Sequence, residues 1–120
     1  MLDAAARRKA EDPVALDLRG IASFTDCFII CGGNQRRQTQ AICDAIVEEL
    51  NARGVRPGHV EGYGLGEWIL IDYGDVVVHV FTRDTRRFYS LERLWGDAPR
   101  LALEGGRSFG SRGLSATRKG

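Results

Sequence analysis

The chain has little of what would send it into a membrane or out of a cell. No apolar run approaches the roughly 20 residues that a bilayer-crossing helix requires, and Met1 to Ala10 lacks the apolar stretch of a signal peptide. A cytosolic protein with no membrane partner is the expectation. Cysteine is scarce and odd in number: Cys27, Cys31 and Cys43 give no even set for a disulfide framework. With Cys27 and Cys31 on one extended strand, their Cα atoms lie about 13 Å apart at roughly 3.3 Å per residue, too far to bridge. They read as small buried apolar residues. Histidine occurs only as His59 and His79, and with the cysteines it forms no Cys-x-x-Cys or other close pair that would hold a metal. No cofactor is expected.

Net charge is nearly absent as well. Seventeen Lys+Arg face 16 Asp+Glu, for +1. Four bases and one acid fall from Glu104 onward, leaving 13 bases against 15 acids before it. That is no electrostatic footprint for a body specialised in nucleic-acid binding.

What is present is an ordinary globular composition, 43% hydrophobic and 28% charged over 120 residues, enough for a single core. Three stretches are expected: a leading helix or flexible segment over 1–12, an α/β body over 13–103, and a disordered Gly/Arg-containing tail over 104–120. The tail has little to bury. Ala4 to Ala10 are good helix formers, and Pro13 marks a boundary. Val14, Leu16 and Leu18 alternate with Ala15, Asp17 and Arg19 as in a half-buried strand. Cys27 to Cys31 is a continuous apolar run ending at Gly32-Gly33, the pattern of a strand buried on both faces. Asn34 can cap a helix carrying Ala41, Ile42, Ala45, Ile46 and Leu50 on one stripe, stopped by Gly54. Val55 to Gly66 reads as loop with a short strand around His59 to Glu61. Asp84 or Thr85 opens a last helix with Phe88, Leu91 and Leu94/Trp95 on one stripe, ended by Gly96 and Pro99.

Trp68 to Tyr73 and Val76 to Phe81 are strand-like runs joined by Gly74-Asp75, a two-residue loop suited to a tight hairpin. The loop fixes the pairing, Trp68 with Phe81 at one end and Tyr73 with Val76 at the other, and so sorts the side chains. Ile69, Ile71, Tyr73, Val76, Val78 and Val80 share a nearly aliphatic face. Trp68, Leu70, Asp72, Val77, His79 and Phe81 share the other, where aromatic anchors beside a few polar groups resemble a protein-binding patch. Two readings stand: helices cover both faces and His79 is a core histidine, or part of the aromatic face awaits a partner. Two amphipathic helices with one stripe each cover about one sheet face, which favours the second.

Catalytic readings find less support. Gly32-Gly33 before a helix could cradle a phosphate, yet a tight strand-to-helix turn explains it as well. A nucleotidyltransferase needs closely spaced carboxylates on a following strand. Glu67 and Asp72, five residues apart, fall on opposite faces. A nucleophile beside His59 or His79 has nothing positive to support it. Arg36-Arg37 and Arg86-Arg87 read as solvated faces or a small basic rim.

The order of Ala15-Leu16-Asp17-Leu18, Thr25-Asp26-Cys27-Phe28-Ile29-Ile30, Gln38-Thr-Gln-Ala41-Ile42, Glu61-Gly62, Trp68-Ile-Leu-Ile-Asp72-Tyr-Gly-Asp75, Val78-His79-Val-Phe81 and Arg87-Phe-Tyr89-Ser-Leu91-Glu92-Arg-Leu94-Trp95 resembles the iojap/RsfS family of ribosomal silencing factors, from about Pro13 to Leu101. The resemblance implies a single α/β domain with a mixed sheet and amphipathic helices, nucleotidyltransferase-like but without the catalytic carboxylates, and no enzymatic activity. It implies binding to the large ribosomal subunit through its protein numbered fourteen, obstruction of subunit joining and repression of translation; large-subunit assembly is the alternative role and a nucleotide-acting enzyme a more distant one. It also implies a homodimer when free, and with a ribosomal partner the bases of the tail leave open a weak contact with ribosomal RNA. The partner-binding residues it points to are Trp68, Leu70, Asp72, His79 and Phe81, with Arg86 and Tyr89 beside them.

Overall fold

The computed structural model describes residues 2–101. Ten elements follow in order: α1 (Leu2–Arg7), β1 (Glu11–Asp17), β2 (Cys27–Gly33), α2 (Arg36–Ala52), β3 (His59–Glu61), β4 (Trp68–Asp72), β5 (Val76–Thr82), α3 (Arg83–Tyr89), α4 (Leu91–Leu94) and β6 (Arg100–Leu101). The strands form one sheet in the order β3-β4-β5-β2-β1-β6. β2 and β5 run parallel at its centre and every other neighbouring pair is antiparallel, so the sheet is mixed. Its tail-end expectation, over 104–120, lies outside the described residues.

The central strand has the sequence its place demands. Every residue of Cys27–Gly33 is buried, as a run without polar alternation requires when both faces are covered. The cysteines are free thiols, and burial pushes Cys27 and Cys31 up to about 12, which leaves them protonated and inert. The hairpin register is the expected one, from Trp68 opposite Phe81 to Asp72 opposite Val77, and Tyr73 N–H closes the turn onto the Val76 carbonyl at 2.9 Å.

The two sheet faces are covered by different means. On one, Ile29, Ile69, Ile71, Val78 and Val80 pack against Ala4 and Ala5 of α1 and Ile42, Cys43, Ala45 and Ile46 of α2. On the other, Leu16, Phe28, Ile30, Val77 and Phe81 pack against Leu18, Leu91 and Ala98, with Trp95 and Ala22 at the margin. That second cover is made of loops and one turn of helix.

Several expectations need correcting. β1 extends back through Pro13 to Glu11, ahead of the expected start of the body. Its ladder is irregular between Glu11 and Val14, and Asp12 there has φ 44, an irregularity at which a residue without an N–H costs little. Burial does not alternate at the end of β1: Ala15, Leu16 and Asp17 are all buried, as is Leu18 just after it. Asn34 does not cap α2. Gln35 holds the cap position without a side-chain bond, and Gln38 Oε1 instead accepts from Asn34 N–H at 2.6 Å. The expected last helix is two, broken at Ser90, whose left-handed φ of 49 turns the chain. Its apolar stripe breaks with it: Leu91 is buried, whereas Phe88 is 80% and Leu94 70% exposed.

Candidate docking face

The hairpin and α3 carry the seven expected partner-binding residues at very different depths, and not all on one margin of the thinly covered face. Phe81 is 0% and His79 3% exposed. They belong to the core, so any part of this face left for a partner excludes them. Trp68 and Leu70, on the next strand out, are half-buried and only border that core. Tyr89 at the end of α3 is 48% exposed, its ring 4.7 Å from that of Trp68. The loop cover stops over β5, which leaves β4 and the edge strand β3 as the uncovered end.

Trp68 is held from below. Its ring lies 5.0 Å from that of Phe81, and its indole Nε1–H donates to His79 Nδ1 at 3.1 Å. An indole N–H can only donate, so Nδ1 must be the bare acceptor and the imidazole proton must sit on Nε2. His79 Nε2 is buried with no hydrogen-bond partner among the described residues, and Phe28 lies edge-on to the imidazole at 4.4 Å. Desolvation lowers the His79 pKa to about 4, so the ring is neutral near pH 7 and remains an acceptor. Aromatic packing and one partly buried hydrogen bond thus fix the tryptophan in one orientation.

Gly62 serves the same end. Its φ of 80 is one that side chains avoid, and a Cβ there would run into the Trp68 carbonyl oxygen. Only glycine lets the loop after β3 pass this close to the start of β4.

Asp72 and Arg86 have structural duties. Asp72 Oδ1 accepts from Gly74 N–H at 2.8 Å, which braces the hairpin turn. Arg86 binds Glu92 at 2.9 and 2.7 Å and the backbone carbonyls of Glu11 and Asp12 at 3.1 and 2.7 Å, tying α3 and α4 to β1. Sequence reasoning overlooked the edge-strand contribution. Glu61 pairs opposite Leu70 and His59 opposite Asp72, which puts both on the Trp68 side, where His59 Nε2 lies 3.1 Å from Glu61 Oε2. Direct alternation along a three-residue strand was too short to read.

The arrangement is an aromatic ledge with a polar border, and among the described residues no group of three or more His, Cys, Asp or Glu could hold a metal. Glu67 pairs with Arg36, away from the turn that occupies Asp72. No helix of the described residues is long and apolar enough to cross a membrane.

The family profile described as "Ribosomal silencing factor during starvation" (RsfS) matches residues 1–119. The chain belongs to the RsfS family. It is 49% identical over 98 residues to the ribosomal silencing factor RsfS of Halalkalibacterium halodurans, covering 82% of this chain and 84% of that one. The mouse protein named "Mitochondrial assembly of ribosomal large subunit protein 1" is 28% identical over 92 residues, which span 74% of this chain and 40% of that longer one. A crystal structure of a protein from Chromobacterium violaceum superposes with a TM-score of 0.77 at 33% identity, covering 89% of both chains. Membership in RsfS carries a ribosome-associated silencing role, and its relatives are named as silencing factors rather than enzymes.

Proposed function

We propose that this RsfS protein docks the Trp68 ledge on the large ribosomal subunit, through the ribosomal protein numbered fourteen, and by its bulk obstructs joining of the small subunit. The observation that carries the reading is the contrast in depth along one hairpin face. Phe81 and His79 are buried and brace Trp68 from beneath, while Leu70 and Tyr89 flank it at the surface. A rigid, half-exposed aromatic set among polar residues is the usual make-up of an interface anchor. Nothing in the mechanism asks for bond chemistry: the chain has only to occupy the face that a second large body must reach. When free, the same ledge is the surface on which two copies would pair, so dimer and ribosome complex would exclude each other.

Co-sedimentation with isolated large subunits, isolated small subunits and whole ribosomes tests the reading. The expected result is retention on large subunits alone, with dissociation of the homodimer as large subunits are added. Equal retention on all three, or on small subunits only, would overturn it. An assembly role is favoured by one observation, the name borne by the mouse relative. Accumulation of immature large subunits in cells lacking the protein, with normal joining of mature ones, would favour that second role.

A further inference from the structure

Around the corner from the ledge, where β2 and β5 end side by side, a groove of about 710 Å³ opens between α3, α4 and the starts of β1 and β6. Five arginines and three carboxylates line it. Two arginines are already spent: Arg83 holds Glu11 through bonds of 2.9 and 2.6 Å, and Arg86 holds Glu92. Arg87, Arg93 and Arg100 are exposed, and none of the three is paired with a described residue. Only Asp12 among the groove's acids is left to offset them. The same groove is bordered by Phe88, 80% exposed and held edge-on to Tyr89 at 5.0 Å.

We propose that this groove is an RNA site, in which Arg87, Arg93 and Arg100 take the phosphodiester oxygens of one strand and Phe88 stacks on an unstacked base. Guanidinium groups match phosphate oxygens with paired donors, and their spread over α3, α4 and β6 suits several phosphates in succession. A bare aromatic face beside them is what a base needs and an acidic peptide does not use. The near-zero charge of the whole chain conceals this, because the acids gather elsewhere, as at Asp44, Glu48 and Glu49 on α2. The inference rests on the large-subunit reading only in supplying the RNA's source, an exposed strand of the ribosome beside the docking site.

The test uses the full chain and a fluorescent twelve-residue oligouridylate, with anisotropy read from 50 to 200 mM salt. Three phosphate contacts predict a log–log salt slope of about −2, at about 0.7 per contact on a single strand. The triple variant R87A/R93A/R100A should flatten that slope, and Phe88→Ala should weaken binding about 5- to 150-fold, the equivalent of about 1–3 kcal/mol of stacking. All four side chains are exposed, so unchanged circular dichroism is expected. RNA binding by the triple variant equal to the parent's, displacement of the oligonucleotide by an equal concentration of uridine monophosphate, or tighter binding of polyglutamate than of RNA would each overturn the proposal. Co-sedimentation separates the two readings. A triple variant fully retained on large subunits that Trp68→Ala no longer holds would leave the ledge standing and remove the groove.

Discussion

The two faces of the sheet are built to different rules. Beneath α1 and α2 the covered side chains are aliphatic or small, with no imidazole or indole among them. The opposite face buries Phe28, Phe81 and His79 beneath loops and leaves Trp68, Leu70 and Trp95 half-covered. An aliphatic face under helices needs only volume and shape complementarity. A face that mixes rings and one imidazole under thin cover has polar atoms to satisfy too: the Trp68–His79 bond pairs the indole N–H with Nδ1, while Nε2 has no partner among the described residues. The difference teaches that the thin side is core at its centre and surface at its margin, with the change taking place between β5 and β4.

The largest expected effect lies at that centre. Phe81→Ala removes a fully buried ring from beneath Trp68 and should cost about 3–5 kcal/mol in denaturant unfolding. Phe88→Ala, seven residues on and exposed, should change stability by less than about 0.5 kcal/mol. Comparable losses for the two would break the distinction between covered centre and open margin.

His79 makes the same distinction titratable. Its folded pKa of about 4 lies below the ordinary 6.5, so as pH falls through 6.5 the unfolded chain takes up a proton that the native ring refuses. Stability is therefore full above about 6.5, is lost progressively down to about 4, and changes no further below. The whole window is worth about 3 kcal/mol and the part between pH 7 and 5 about 2 kcal/mol. The groups in ring contact with His79 are Phe28, Trp68 and Phe81, none of which titrates. Comparing unfolding of the parent with His79→Leu at both pH values cancels the carboxylates, and the parent should lose about 2 kcal/mol more. Equal losses would mean that the imidazole is hydrated in the native state.

At the margin the balance tips from folding to binding. Trp68→Ala should weaken retention on large subunits by about thirtyfold or more, the cost of about 2 kcal/mol typical of an anchor residue. Its cost in stability should be smaller, about 1–2 kcal/mol, because the indole is half-exposed and what is lost inside is chiefly a partner for His79 Nδ1. Thermal unfolding and co-sedimentation of the same variant decide it: a variant that unfolds outright, or that stays folded and binds normally, sinks the ledge as the docking site.

Much of this was legible because short-range rules fix long-range consequences. A two-residue loop at Gly74-Asp75 leaves one register for the hairpin, and alternation then assigns every side chain from Trp68 to Phe81 to its face, as found. The uninterrupted Cys27–Cys31 run announced a central strand for the same kind of reason. Depth was harder, because counting amphipathic helices overlooks cover supplied by loops: Leu18, Ala22 and Ala98 show no helical period. The break between α3 and α4 carried no glycine or proline to mark it, since Ser90 itself adopts the left-handed turn. β6, with two residues, is too short for any pattern, and the loss of Phe88 from the expected stripe followed from that break.

The smallest effect is the one best able to separate a turn residue from a docking residue. Asp72 Oδ1 braces the hairpin through Gly74 N–H, and an asparagine keeps that oxygen while removing the charge. Asp72→Asn should therefore leave stability within about 0.5 kcal/mol, whereas Asp72→Ala should lose about 1 kcal/mol with the bond. If Asp72 also meets the ribosome at the border of the ledge, its charge acts there as a rim charge, which alters the association rate and its salt dependence more than the lifetime of the complex. Stopped-flow association of Asp72→Asn with large subunits at two ionic strengths would then show a slower, less salt-sensitive rate with unchanged dissociation. An association rate equal to the parent's at both strengths would confine Asp72 to the turn and draw the edge of the docking face at Leu70.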